Sequence, residues 1–189
     1  MRTLALLLAA AGLAAACSDS TDSSSSVTVD YDLTLETLAN WSSGSADYEP
    51  DQEADLDIVA EKRALPPPID GGSAFYHAGT NLSDDLWMYF ARRVSGFIPN
   101  QVYQVGFEVR FATDFHSGCI GTGDLVLIKA GAAEVEPARE LRGDRWRMNV
   151  DKGIQMDLGT DAVLLGNIQN GLPGCPAEPE FAETSSGAS

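Results

Sequence analysis

The chain has 189 residues with 28 acidic and 12 basic side chains, a formal net charge of −16 at neutral pH. A surface of this sign repels phosphate backbones and anionic headgroups, which excludes nucleic-acid binding; its acidity serves solubility, or alternatively presents a face to cations or basic partners. The length suits one domain, and three cysteines leave room for a single disulfide.

Met1-Arg2-Thr3 leads into an apolar run, Leu4 to Ala16. That run is shorter than the ~20 residues needed to span a bilayer, so residues 1–16 read as a secretory signal outside the fold. Leu13-Ala14-Ala15-Ala16-Cys17 resembles the lipobox of bacterial lipoproteins, with Ala14 where leucine is commonest. The resemblance implies cleavage before Cys17, acylation of that cysteine, and attachment to a membrane of the bacterial cell envelope, facing the periplasm or the exterior. The alternative is an ordinary signal cleaved near Ala16, leaving Cys17 as a free thiol, a liability in an oxidising compartment. With Cys17 set aside, Cys119 and Cys175 are expected to pair rather than remain two buried thiols. That bond would close a loop of about 57 residues and contribute ~4 kcal/mol in the chain-entropy model.

Ser18 to Ser26 has no apolar residue and, with Cys17, reads as a tether over 17–26. Val27, Val29, Tyr31, Leu33 and Leu35 then alternate with polar residues as a strand with one wet face. From Asn40 to Asp55 the pattern breaks, which predicts a long loop pinned by Trp41 and Tyr48. Leu56 to Val59 suggests a short strand, and Leu65 to Pro68 a stiff connection or edge, since proline cannot donate to a ladder. Ala74 to His77 and Leu86 to Val94 read as strands joined through a Ser83-Asp84-Asp85 turn, with helical spacing a competing reading of the second. The most regular stretch is Gly96 to Phe111. After a Pro99-Asn100 turn, Tyr103, Val105, Phe107, Val109 and Phe111 occupy alternate positions and require an opposing apolar layer. Leu125 to Ala130, Arg145 to Val150 and Ala162 to Ile168 complete about eight strands. The fold class predicted is all-β, an antiparallel two-sheet β-sandwich of jelly-roll kind over residues 27–181, followed by a disordered tail over 182–189.

A family resemblance rests on an ordered string of local features. These are Trp41 with Ala46-Asp47-Tyr48, Asn81-Leu82-Ser83-Asp84-Asp85-Leu86, Pro99-Asn100 with Tyr103, Gly118-Cys119-Ile120-Gly121, Lys129-Ala130-Gly131, and Met148 to Gly153 with Gln155. The string resembles a group of predicted exported bacterial lipoproteins to which no activity is assigned. It implies kinship and export, and departs from the group in a shorter segment after Gly121 and in lacking an apolar closing strand after Glu180. The phrase from Gly96 to Val109 is also similar to strand entries of galactose-binding-like and carbohydrate-binding modules.

Chemistry-bearing residues are sparse. Asn81, Asp84 and Asp85 are the candidate Ca²⁺ ligands, because hard cations take clustered oxygens; turn capping is the competing role. Asn149, Asp151 and Lys152 form a polar cluster at a strand end and, with Trp41 and Tyr48, make up the candidate ligand-binding set. Trp87 and Trp146 fall on strand patterns and read as core. His77 and His116 are the only histidines, too few for a zinc site once the cysteines pair. His116-Ser117 lacks a Gly-x-Ser-x-Gly elbow, and the 118–123 stretch GCIGTG lacks the Lys-Ser or Lys-Thr of a phosphate loop. No catalytic residue is assigned. The expectation is a lipid-anchored, non-catalytic module binding a carbohydrate or glycan, with no cofactor beyond the Ca²⁺ candidate. The alternatives are a structural lipoprotein engaging an envelope protein and a hydrolase using the acids near Asp84 and Asp151.

Overall fold

The expected strand around residue 107 is present, but displaced. In the computed structural model, which describes residues 37–119 and 125–188, strand β5 runs Phe107–Thr113. Phe107, Val109 and Phe111 turn inward while Glu108 and Arg110 face solvent. Tyr103 and Val105 continue the alternation in sequence yet lie exposed outside any strand. Alternation marks a strand only where a neighbour accepts its hydrogen bonds, and for β5 that neighbour begins pairing at Phe107. The neighbour is β10, Ala182–Ala188, antiparallel to β5 along its full length. Residues 182–188, expected as a disordered tail, are therefore a strand. Their AETSSGA sequence lacks apolar periodicity, and their order comes from pairing with β5, including an Arg110–Glu183 ion pair at 2.5 Å.

The remaining strands are β1 (Ser42–Ala46), β2 (Val59–Ala64), β3 (Ser73–Ala78), β4 (Trp87–Ala91), β6 (Leu127–Gly131), β7 (Arg139–Arg142), β8 (Arg145–Met148) and β9 (Ala162–Asn167). Two short 3-10 turns, Leu38–Asn40 and Pro50–Asp55, are the only helical elements among the described residues. The protein is all-β and antiparallel. Among the described residues, backbone bonds gather the strands into five two-stranded ribbons, β1-β4, β2-β3, β5-β10, β6-β9 and β7-β8, where two continuous sheets were expected. Most strands are only four to six residues long and separated by irregular segments, so each satisfies one neighbour before the chain departs. β3 adjoins β4 and β1 adjoins β7 and β8, while β9 adjoins β10.

The 40–55 segment, expected as a loop, holds β1 and the second 3-10 turn. The expected strand at Leu56 to Val59 starts three residues later, because Leu56 ends that turn and is buried. The Leu65 to Pro68 stretch is a connection between β2 and β3, as expected. Leu86 to Val94 is strand at Trp87–Ala91. Gly44 faces Tyr89 across the β1-β4 ribbon, and a Cβ at Gly44 would lie 2.6 Å from the Tyr89 hydroxyl oxygen, so only glycine lets that ring lie across the strand. Edge and tilted contacts of Phe75 with Trp41 (5.6 Å) and Phe90 (5.3 Å), and of His77 with Phe90 (4.6 Å), bind β3 to β4. Burial holds the His77 imidazole below its ordinary pKa.

Cys119 and Cys175 are disulfide-bonded, with Cα atoms 5.1 Å apart. Residues 1–36, including the signal, Cys17, the tether and the strand expected at 27–35, lie outside the described residues, as does the GCIGTG stretch from Ile120 onward. Deleting residues 182–189 should strip β5 of its ladder and lower stability by ~2 kcal/mol or more in urea denaturation; an unchanged midpoint would show that the pairing contributes nothing.

Candidate functional site

Asp47 follows β1 directly and takes φ = +68°, a conformation open to aspartate at little cost. The turn aims a nearly buried carboxylate back under the β7-β8 ribbon. Its Oδ2 meets the Lys152 ammonium at 2.6 Å and its Oδ1 the Arg147 guanidinium at 3.2 Å. Its backbone is equally committed. The amide donates to the Trp146 carbonyl at 2.7 Å, and the carbonyl accepts from the Ser83 hydroxyl and the Arg145 guanidinium, each at 2.9 Å. Trp146 N–H donates in turn to the Tyr48 carbonyl at 2.9 Å. One residue thus ties β1 to β8 and to the loop before β4.

Tyr48, next in sequence, is fully buried, and its hydroxyl is bonded to Arg139 of β7. Arg139 also forms an ion pair with Glu53 at 2.8 Å and lies over the Trp146 ring at 4.5 Å. Partial burial disfavours its charge, but the hydrogen bonds and charges of Glu53 and Tyr48 outweigh this and hold its pKa above the ordinary value. Above this layer opens a cleft of about 590 Å³, lined by Ser43, Ser45, Glu53, Asp57, Tyr89 and Arg139 among others. Burial raises the Tyr89 phenol above its ordinary pKa. The phenol therefore stays protonated and donates to the Pro137 carbonyl at 3.3 Å.

The candidate ligand residues do not line this cleft. Trp41 is packed edge-on against Phe75, with Arg92 over its ring at 5.9 Å. Tyr48 is beneath the cleft floor and inaccessible. Asn149 accepts from the Ala138 amide (2.8 Å) and donates to the Glu136 carbonyl (2.9 Å), stitching the approach to β7 onto the end of β8. Lys152 is spent on Asp47 and lies over the Trp87 ring at 4.8 Å. Asp151 accepts from the amides of Gly153 (3.1 Å) and Thr160 (3.0 Å) and from the Thr160 hydroxyl (3.1 Å), and so closes the 151–161 loop. These bonds, the Thr160 amide foremost, hold its carboxyl below the ordinary value. Inside that loop the Lys129 ammonium donates to the carbonyls of Lys152 (3.0 Å) and Asp157 (2.7 Å). Desolvation, then the Lys152 charge, lowers its pKa.

At the expected Ca²⁺ position the Asn81 side chain accepts from the Leu86 amide at 3.2 Å, while Asp84 and Asp85 are exposed in a turn with Asp84 at φ = +60°. Asn81 thus caps the turn, while the Asp85 carboxylate lies 4.0 Å from the Arg145 guanidinium, and among the described residues no group of three or more His, Cys, Asp or Glu is placed to hold a metal ion. Trp87 and Trp146, expected as core, are half-buried.

No protein-family model, no curated protein and no solved structure matches the chain.

Asp47→Asn keeps the backbone conformation and shape but leaves two partly buried cations uncompensated. It should cost about 2 kcal/mol in chemical denaturation, the buried-pair figure reduced for the exposure of Arg147. Because Asp151 ionises more readily folded than unfolded, its contribution to the loop is complete above ~3.9 and lost as pH falls through its folded value. The Thr160 amide resonance should accordingly titrate with a midpoint below 3.8, and a midpoint at or above that value would contradict the assignment.

Proposed function

We propose that the protein is a lipid-anchored, extracytoplasmic, non-catalytic module that binds a hydroxyl-rich ligand of carbohydrate kind in the cleft above Tyr48. The observation that carries this reading is the set of groups converging there. The Ser43 hydroxyl, two carboxylates, a guanidinium and a phenol offer donors and acceptors together, with the Ser45 hydroxyl turned to Tyr48, and the Tyr89 ring adds one aromatic surface. Sugars present that alternation of hydroxyls and C–H faces. The volume lies within the ~300–1,000 Å³ common for small-ligand sites. Support for a binding role over a chemical one comes from the engagement of the charged groups, since Glu53 and Arg139 are already paired with each other. Beneath it Asp47 ties β1 to β8 and the Tyr48 hydroxyl bonds Arg139 of β7, which favours a cleft formed before any ligand arrives. The lipobox-like segment ending at Cys17 supports the membrane address.

NMR titration of the protein with a panel of neutral and amino oligosaccharides should shift the amides of Ser43, Ser45 and Arg139 for at least one of them. Tyr89→Ala should then weaken that ligand by about tenfold, the loss of roughly 1.4 kcal/mol of stacking and hydrogen bonding. Shifts confined to residues away from the cleft, or none across the panel, would reject the proposal.

A further inference from the structure

Between β4 and β5 the chain makes a long excursion whose composition differs from the rest of the molecule. Residues 94–107 contain no Asp, Glu, Lys, Arg or His, although the chain carries 28 acids. Val94 to Gly106 lies exposed throughout, and Phe97 (55%), Ile98 (67%) and Val102 (90%) show much of their apolar surface to solvent. Contiguous exposed apolar surface of this kind marks a contact site more often than single exposed residues do.

The excursion has a built shape. The Phe97 and Tyr103 rings meet edge to face at 4.9 Å, and the Ile98 amide donates to the Tyr103 hydroxyl at 2.7 Å. The Gln101 amide donates to the Ile98 carbonyl at 3.3 Å across the Pro99-Asn100 turn, where Asn100 takes φ = +60°. Tyr103 is thus used as an internal brace, and Ile98 and Val102 are held outward beside the turn.

We propose that this 94–105 segment is a finger that dips into the interfacial layer of a phospholipid bilayer. Its charge pattern selects that occupant. A second copy of so acidic a chain would be repelled on approach, and a charged protein partner would find no ion to pair with on the finger itself. A zwitterionic lipid surface asks only for uncharged apolar side chains with aromatic and arginine residues near the waterline. Arg92 and Arg93 stand at the entry to the finger, and Glu108 at its exit. An irregular backbone cannot cross hydrocarbon, so the finger would lie at headgroup depth, ~5–10 Å into the boundary, where water reaches its remaining amides. The contact is distinct from the cleft and from acylation at Cys17, and it stands if either of those fails.

The test adds a tryptophan at the tip of the full-length chain, Val102→Trp, with Ile98→Trp as a second placement. Each is mixed with phosphatidylcholine vesicles carrying brominated acyl chains, and vesicle association is followed by co-sedimentation. The added emission, taken as a difference from the parent with its three tryptophans, should move to shorter wavelength and be quenched about twofold or more. Adding Ile98→Asp to Val102→Trp should abolish both effects while the far-ultraviolet circular dichroism stays unchanged. The proposal is overturned by a sedimented chain whose new tryptophan emits as in water, by failure to associate with vesicles, or by a blue shift that grows with protein concentration without lipid.

Discussion

The structure depends on one nearly buried carboxylate. Asp47 has little access to water, so its charge is tolerated only because Lys152 and Arg147 meet its two oxygens and its backbone groups find partners on Trp146, Ser83 and Arg145. Without it, the β7-β8 ribbon would be held to the end of β1 only by the Tyr48 bonds to Trp146 and Arg139, with two cations left unpaired beside them. The buried apolar set among the described residues is small, Ala46, Tyr48, Leu56 and Met148. With so little oily surface near this junction, directional polar bonds set the arrangement to a larger degree than in a domain with a thick core.

This explains why the polar residues most suggestive of ligand contact turn out to be structural. Lys152 neutralises Asp47, Asn149 bridges two chain segments, and Asp151 closes a loop whose carbonyls gather around the Lys129 ammonium. A lysine there supplies the positive charge that a bound cation would supply in a loop of similar shape, and it is supplied by the chain itself. The groups that line the cleft are plainer ones, Ser43, a buried Ser45 whose hydroxyl donates to Tyr48, a tyrosine and an already paired Arg139 and Glu53.

The legible part of the fold was the part in which side chains declare their own burial. The strands at Ala74 to His77, Trp87 to Ala91, Arg145 to Met148 and Ala162 to Asn167 carry apolar or aromatic groups dense enough to need a partner layer, and the Cys119–Cys175 bond follows from counting. β1, SSGSA, was illegible because its extended form comes from pairing with β4, where Gly44 makes room for the Tyr89 ring. β10 was illegible for a related reason, since β5 imposes order on it, and the same rule run backwards left Tyr103 and Val105 outside any strand. β7 and β8 did carry a signal, the two-residue Gly143-Asp144 link with Gly143 at φ = +67°, a known hairpin pattern. The site itself was hidden because its groups come from three separate stretches of the chain, around Ser43 to Ile58, at Tyr89 and at Arg139, and form no motif.

The claim beneath all of this is that the bonds among Asp47, Tyr48 and Trp146 open only when the whole domain unfolds. Native-state hydrogen exchange of the Asp47 and Trp146 amides across a series of low denaturant concentrations measures it directly. The account predicts that both exchange with the free energy and denaturant dependence of global unfolding. Exchange of either amide through a small, denaturant-independent opening would contradict it.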